Sequence, residues 1–372
     1  MDFLGTDPTQ QILFFILYGI TGVVPLMAAL YLLLRRGNAF APSIKPPLRL
    51  RRWAASFFAV SSLGHVWWYL FYVYSGDVNS PIYALVAVID CLSLLVTMPA
   101  TLLAMLQDRK RPVWPVLAVL VPIVAFGAFQ AFCPSEQFMT ITTVYILTLY
   151  VLFSVYMAFA VRRYGRWLNE NYADLEHKKV WLSQVVSLFC LLLLILYSLV
   201  DVDTIQLYLL HIIELVLFGL LLWRVETLQE LGELSPSDSL TLSPSDPLTS
   251  SSQNSTVDLA QIEQLLAEHC VDTKLYLQHD LTLLQLAHSV GTNRFYLSQY
   301  FSRQGITYNT YINNLRINYF VSRYQEVVKT QRSFTVQQLA NESGYRSYST
   351  FSLAFKQRMG QSVSAWMRQS DV

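Results

Sequence analysis

Two groups of side chains in this 372-residue chain stand where they could do chemistry, far apart in sequence. The first is ionisable and lies inside apolar runs: His65, Asp90, His211 and Glu214. Each such residue costs about 2.5–3.5 kcal/mol at the centre of a membrane-spanning helix, so it either finds a partner or serves a site. His211 and Glu214 are three residues apart and therefore share a helix face. Imidazoles and carboxylates together can exchange a proton or hold a polar ligand, which makes these four a candidate sensing cluster. The plainer reading is a set of hydrogen bonds tying one helix to the next.

The second group lies near the C-terminus. Leu283, Leu286, Ala287 and Val290 recur at helical spacing, Gly291-Thr292-Asn293 supplies a turn and a cap, and Phe295, Leu297 and Phe301 begin another helix. Helix, short glycine turn and helix make a helix-turn-helix. The pattern recurs with Val336, Leu339 and Ala340, then Gly344-Tyr345-Arg346-Ser347, then Thr350, Phe351, Ala354 and Phe355. Its first copy presents Asn293, Arg294, Phe295, Ser298, Gln299 and Arg303, and its second Arg346, Ser347, Tyr348, Ser349, Ser352 and Lys356. These types bond phosphates and base edges in a major groove, and an exposed Phe or Tyr can meet thymine methyls or sugars. The twelve are the expected contacts to double-stranded DNA. Solvated helix faces are the alternative for Arg303 and Lys356, and packing against a neighbouring helix for Phe295 and Tyr348.

Other chemistry is poorly represented. The chain lacks HExxH, GxSxG, a Walker lysine loop and GxGD, so no catalytic residue is expected and the chain is not read as an enzyme. Cys91, Cys133, Cys190 and Cys270 are scattered without metal-ligand spacing, so neither a metal, a cofactor nor a disulfide is expected.

The elements that must position these residues differ sharply between the two ends. Hydrophobic residues make up 53% of the chain and charged residues 14%, against about 25% charged in an ordinary soluble domain. Seven runs, near 11–34, 53–75, 81–106, 113–133, 138–161, 180–200 and 204–223, approach the roughly 20 apolar residues that cross a bilayer. No basic stretch precedes the first, which is read as a span and not a cleaved signal. Fourteen Lys/Arg lie in the connections after the first, third and fifth runs, and none in the alternate connections or the N-terminal tail. By the positive-inside rule the N-terminus is outside and the C-terminus cytoplasmic. From Asp280 to Arg368, ten basic residues face three acidic ones, as a nucleic-acid partner requires.

Between the two ends, 226–234 could extend the last helix by about two turns. LSPSDSLT (234–241) then repeats as LSPSDPLT (242–249), and this Ser/Pro/Asp-rich stretch reads as a flexible linker over 235–256. A short helix capped by Asp258 follows.

From about 275 to 370 the chain resembles the DNA-binding domain of the AraC/XylS family of bacterial transcription regulators. The resemblance rests on Leu286-Ala287, Gly291, Tyr296-Leu297-Ser298, Phe301, Gly305, Tyr311, Arg316-Ile317, Leu339-Ala340, Gly344-Tyr345, Phe351, Phe355-Lys356 and Gly360. It departs at Ser362-Val363, Phe320 and Leu353, where the family usually has Thr-Pro, a small residue and a basic residue. The family implies two helix-turn-helix units on one linking helix, reading successive major-groove faces.

The expected fold is therefore all-α. A seven-helix transmembrane bundle (1–224) precedes a linker (225–257) and a double helix-turn-helix domain (258–372). The expected function is a multi-pass regulator of the cytoplasmic membrane. It would sense a small-molecule or membrane-derived signal, pair as a homodimer, and bind promoter DNA from the cytoplasmic side. A transporter with an accessory DNA-binding domain and an anchored regulator released by proteolysis in the linker are the alternatives.

Overall fold

The computed structural model describes residues 8–35, 44–77, 80–109, 111–112, 114–133, 136–197, 204–231, 259–331 and 333–370. Among them every regular element is helical, and the one β-bridge, Tyr172 to Thr282, is isolated. The chain forms two compact units, Met1–Tyr164 with Val180–Leu231, and Gly165–Lys179 with Gly232–Val372. The expected linker over 235–256 and the Asp258 cap lie outside the described residues.

In the first unit each apolar run becomes a helix: α1 (Pro8–Leu34), α2 (Leu48–Tyr74), α3 (Pro81–Ala104), α4 (Trp114–Phe132), α5 (Glu136–Asn171), α6 (Trp181–Tyr197) and α7 (Thr204–Thr227). Four are long and apolar enough to cross a membrane, over Thr9–Leu34, Pro81–Ala104, Thr140–Asn171 and Tyr208–Thr227. The described apolar parts of α4 and α6 are shorter. α2 has the length, but Arg49, Arg51 and Arg52 in its first turns dilute its apolar character. α5 runs ten residues beyond the apolar stretch seen in the sequence, and its last turns belong to the second unit.

Neighbouring helices pack in the order α4, α3, α2, α1, α7, α6, and α7 also touches α2, so α1, α2 and α7 meet at one junction. Many apolar side chains point away from the packed interior, among them Ile12, Leu33, Val121, Leu152 and Phe189. Soluble monomers rarely expose so much contiguous apolar surface.

Cationic residues of the basic connections close helix ends. The Arg51 guanidinium donates to Leu32 O at 2.9 Å and to Arg35 O. Arg111 donates to Leu106 O at 3.0 Å, just past α3. Cations at C-terminal carbonyls satisfy orphan acceptors and complement the helix dipole. α7 ends at Thr227, so the extension expected over 226–234 is not formed across Leu228–Leu231. The reason is capture of the backbone: Glu230 N donates to Lys45 O (2.7 Å) and Leu231 N to Gln107 Oε1 (2.9 Å).

The second unit comprises α8 (Leu259–Leu266), a wide turn at Ala267–Asp272, α9 (Leu283–Ser289), α10 (Arg294–Arg303), α11 (Tyr308–Lys329), α12 (Val336–Glu342), α13 (Tyr348–Met359) and α14 (Val363–Ser370). Its two halves start alike. Thr282 and Gln285 form a capping box on α9, and Thr335 and Gln338 form the same box on α12, each satisfying two orphan N–H groups. α11 carries a core on each half. Tyr308 and Ile312 pack with Leu286, Leu297 and Phe301, while Ile317, Phe320 and Tyr324 pack with Leu339, Phe351 and Phe355. Phe320, a departure from the family pattern, is fully buried with its ring 4.5 Å from that of Phe351.

Candidate functional site

The helices expected to meet DNA are α10 and α13. Asn293 and Ser347 are their N-caps, accepting from Tyr296 N (3.0 Å) and Thr350 N (3.3 Å) respectively. Both therefore shape the helix start as well as standing at the surface expected to face DNA. Arg303 and Lys356 are exposed, while Ser298, Gln299 and Ser352 are half-buried. Phe295 is 69% exposed, its ring touched edge-on by Tyr296, and Leu353 and Tyr348 are also exposed. An apolar ring left in water at the tip of a recognition helix gains from any surface that covers it.

The second unit also contains a segment that sequence reasoning missed. Residues 165–179, continuous with α5, lie among the helix-turn-helix elements. Ala173 is buried in the core of the first half. Its N–H donates to Leu281 O at 3.2 Å, and Asn309 Nδ2 donates to Ala173 O at 2.6 Å and Tyr172 O at 3.1 Å. Asp174 accepts from Asp280 N at 2.8 Å through one oxygen and from Arg316 Nη1 at 2.9 Å through the other.

Arg316 is the hub of this arrangement. It has no exposure, and it also donates to Tyr276 O and Gln278 O, both at 2.7 Å, with Tyr345 over its guanidinium. A buried cation survives only when its donors are matched in this way. Gly344 makes room for it: φ is +89°, and a Cβ there would lie 2.9 Å from Arg316 Nε.

At the other end of the segment, Glu176 faces the N-terminus of α13. Its carboxylate accepts from the Ser347 hydroxyl, from Thr350 Oγ1 at 2.9 Å and from Ser349 Oγ at 3.3 Å. Burial pushes this carboxyl up, but the bonds from Ser347 and Thr350, nearby His177 and the Ser349 bond outweigh it and hold the group below its usual range. Arg346 Nη1 meets Asp280 at 2.7 Å, and Lys178 meets the same carboxylate at 3.2 Å. Arg294, on α10, is half-buried near Tyr172 and Glu170, and burial lowers its pKa. Several residues expected to meet phosphates thus already have acidic partners from this segment or from Asp280. The segment's acidic residues Glu170, Asp174 and Glu176 were the available signal, hidden among the basic residues Arg166, Lys178 and Lys179.

In the first unit, three of the four ionisable residues converge at the junction of α1, α2 and α7. His65 Nε2 lies 3.6 Å and His211 Nδ1 3.2 Å from the same Glu214 oxygen. α1 adds Thr21, whose Oγ1 is 3.3 Å from His211 Nδ1, and Tyr18, whose hydroxyl donates to His65 O at 2.6 Å. Asp90 lies beside this group on α3, accepts from Trp68 Nε1 at 3.1 Å, and sits where a side chain on Gly64 would collide with it.

A family model described as a helix-turn-helix domain matches residues 286–369. No curated protein and no solved structure matches the chain. The match, of the AraC type, covers α10 to α14 and marks the C-terminal region as the double-stranded-DNA-binding part of a transcription regulator.

Proposed function

We propose that the chain is a membrane-integrated one-component transcription regulator. Its seven N-terminal helices cross the bilayer and sense a signal, and its C-terminal double helix-turn-helix reads promoter DNA from the cytoplasmic side. The observation that carries this reading is segment 165–179. It continues an apolar helix long enough to cross a membrane, and it supplies Asp174 to the buried Arg316 and Glu176 to a recognition helix. A shift of α5 would therefore reach the DNA-reading surface with no intermediate element. In this reading Glu176 acts as an internal stand-in for a DNA phosphate, because a helix N-terminus lined with hydroxyls favours any anion. Loop and DNA compete for the same donors, and the signal shifts the balance between two arrangements.

The test is DNA binding by the full chain in lipid nanodiscs, followed by genome-wide mapping of the tagged protein in membranes. Salt-sensitive, sequence-selective binding by membrane-embedded protein is expected. Binding by a released soluble fragment alone would overturn membrane integration as the working state.

A further inference from the structure

We infer that His65, His211 and Glu214 form a binding site for a divalent transition-metal ion, with zinc the best match. The sequence alone carries no expectation of a metal, since these residues lie on two helices 146 positions apart at the least. The fold brings one potential ligand atom of each to within 4.8 Å of the others.

The hydrogen-bond pattern makes the site cation-seeking. His65 Nδ1 lies 2.9 Å from Ser61 O, an acceptor that can only be met by an N–H. A neutral His65 then turns its Nε2 lone pair toward the Glu214 carboxylate, an arrangement that a positive charge between the two stabilises. A proton on Nε2 would give a charge-assisted bond of about 2.7–2.9 Å, but the separation is 3.6 Å. In a tetrahedral zinc site with bonds of about 2.0–2.1 Å, neighbouring ligand atoms lie about 3.3–3.4 Å apart. The 3.6 and 3.2 Å separations of the two imidazoles from the Glu214 oxygen bracket that spacing, and all three ligand atoms lie within 4.8 Å of one another.

The surroundings fit as well. The Ser61 carbonyl fixes the His65 tautomer and orientation, as the outer partner of a metal-bound imidazole commonly does. His211 binds through Nδ1 once its proton resides on Nε2, a tautomer change that leaves the imidazole neutral. The Thr21 hydroxyl donates to Leu17 O or Tyr18 O, leaving its lone pairs toward His211 Nδ1. Glu214 and Asp90, when ionised, carry two negative charges in an apolar interior, and a dication cancels both. Two imidazoles and a carboxylate with one position open is a familiar ligand set for a zinc ion that keeps an exchangeable ligand.

As an input to transcription, the site rests on the membrane-regulator reading. In that topology it lies in the outer half of the bundle, since His65 is nine residues from the end of α2 and His211 seven from the start of α7. The metal would enter from outside.

The experiment uses the purified full chain, stripped with chelator and titrated with Co2+, whose four-coordinate complexes show strong visible bands that the hydrated ion lacks. One Co2+ per chain is expected, displaced by Zn2+. Glu214→Gln, His65→Gln and His211→Gln should each weaken uptake by at least ~10-fold, while Asp90→Asn, outside the ligand set, should retain the bands. Absence of saturable four-coordinate bands in the wild-type chain would overturn the inference and leave a proton as the cluster's cation. Bands that persist in the three variants would overturn it too. The wild-type titration can overturn the inference alone, and three separate ligand variants assign the site even if one of them fails to fold. DNA binding does not enter this readout, so failure here and failure of the regulator reading are separable.

Discussion

Phe295 and Arg316 show how differently two residues of one domain can matter. Phe295 is exposed, so Phe295→Ala should leave thermal unfolding unchanged while DNA affinity falls roughly tenfold, the equivalent of about 1.4 kcal/mol. Equal binding by the variant would return this ring to the status of an ordinary surface residue. Gln299 and Arg303 divide along another line. Gln299→Ala should relax selectivity at one base pair at a cost of about 1–3 kcal/mol, whereas Arg303→Ala should weaken all sequences alike and lower the salt slope by about 1. Competition binding with a randomised duplex library separates the two. Arg316 instead works inside the fold. Asp174→Asn would leave a buried guanidinium without its counter-charge, a loss of about 3–5 kcal/mol where a pair is fully enclosed. Hydrogen exchange should show faster opening at Tyr276–Gln278, whose carbonyls share that guanidinium. Unchanged protection there would mean that backbone carbonyls alone satisfy Arg316.

At the scale of elements, the helix-turn-helix pairs were legible because their signals are local. Capping residues, glycine turns and the 3.6-residue apolar period all lie within a few positions of one another, and α9, α10, α12 and α13 form where those signals stand. The half-site at His211 and Glu214 was legible for the same reason, as an i, i+3 pair. That His65 completes it, while Asp90 lies beside it with Trp68, depends on which helices pack together, and one sequence does not encode that visibly. Segment 165–179 was hidden for a similar reason, since its partners lie more than a hundred residues away. The segment is also the element whose removal from α13 should matter most. Glu176→Gln retains shape but loses the charge that competes with phosphate, so the full chain should bind DNA about tenfold more tightly, equivalent to about 1.4 kcal/mol. Gel-shift titration of wild type and variant in nanodiscs measures the difference, and equal affinities would dismiss the competition. The pH dependence has a definite sign. A carboxyl held below its free value stabilises the docked arrangement above that value, about 4.3 for Glu, and loses the contribution as pH falls through the docked pKa. Glu176 therefore stays ionised at neutral pH, and protonation is not the route by which its contacts with α13 would be released there.

For the whole molecule, sidedness decides whether the two functions can belong together. The basic residues read from the sequence acquire a second role in the structure, because Arg51 and Arg111 bind carbonyls at the ends of α1 and α3. These bonds hold whichever way the bundle inserts, so orientation rests on the charge asymmetry alone, and the capping roles explain why these cations are kept at those helix ends. Segment 165–179 adds an independent demand. Its Asp174 and Glu176 partner Arg316 and Ser347, so the end of α5 must lie on the same side as the DNA reader. A reporter active only in the cytoplasm should therefore work when fused after Lys179 or Val372 and fail after Asp77, with accumulation checked by immunoblot. Activity after Asp77 with silence after Lys179 would leave the helix-turn-helix domain on the side without DNA. The same result would make a metal that reaches His65, His211 and Glu214 along the short path a cytoplasmic one, so this single measurement bears on the direction of the signal as well as on its destination.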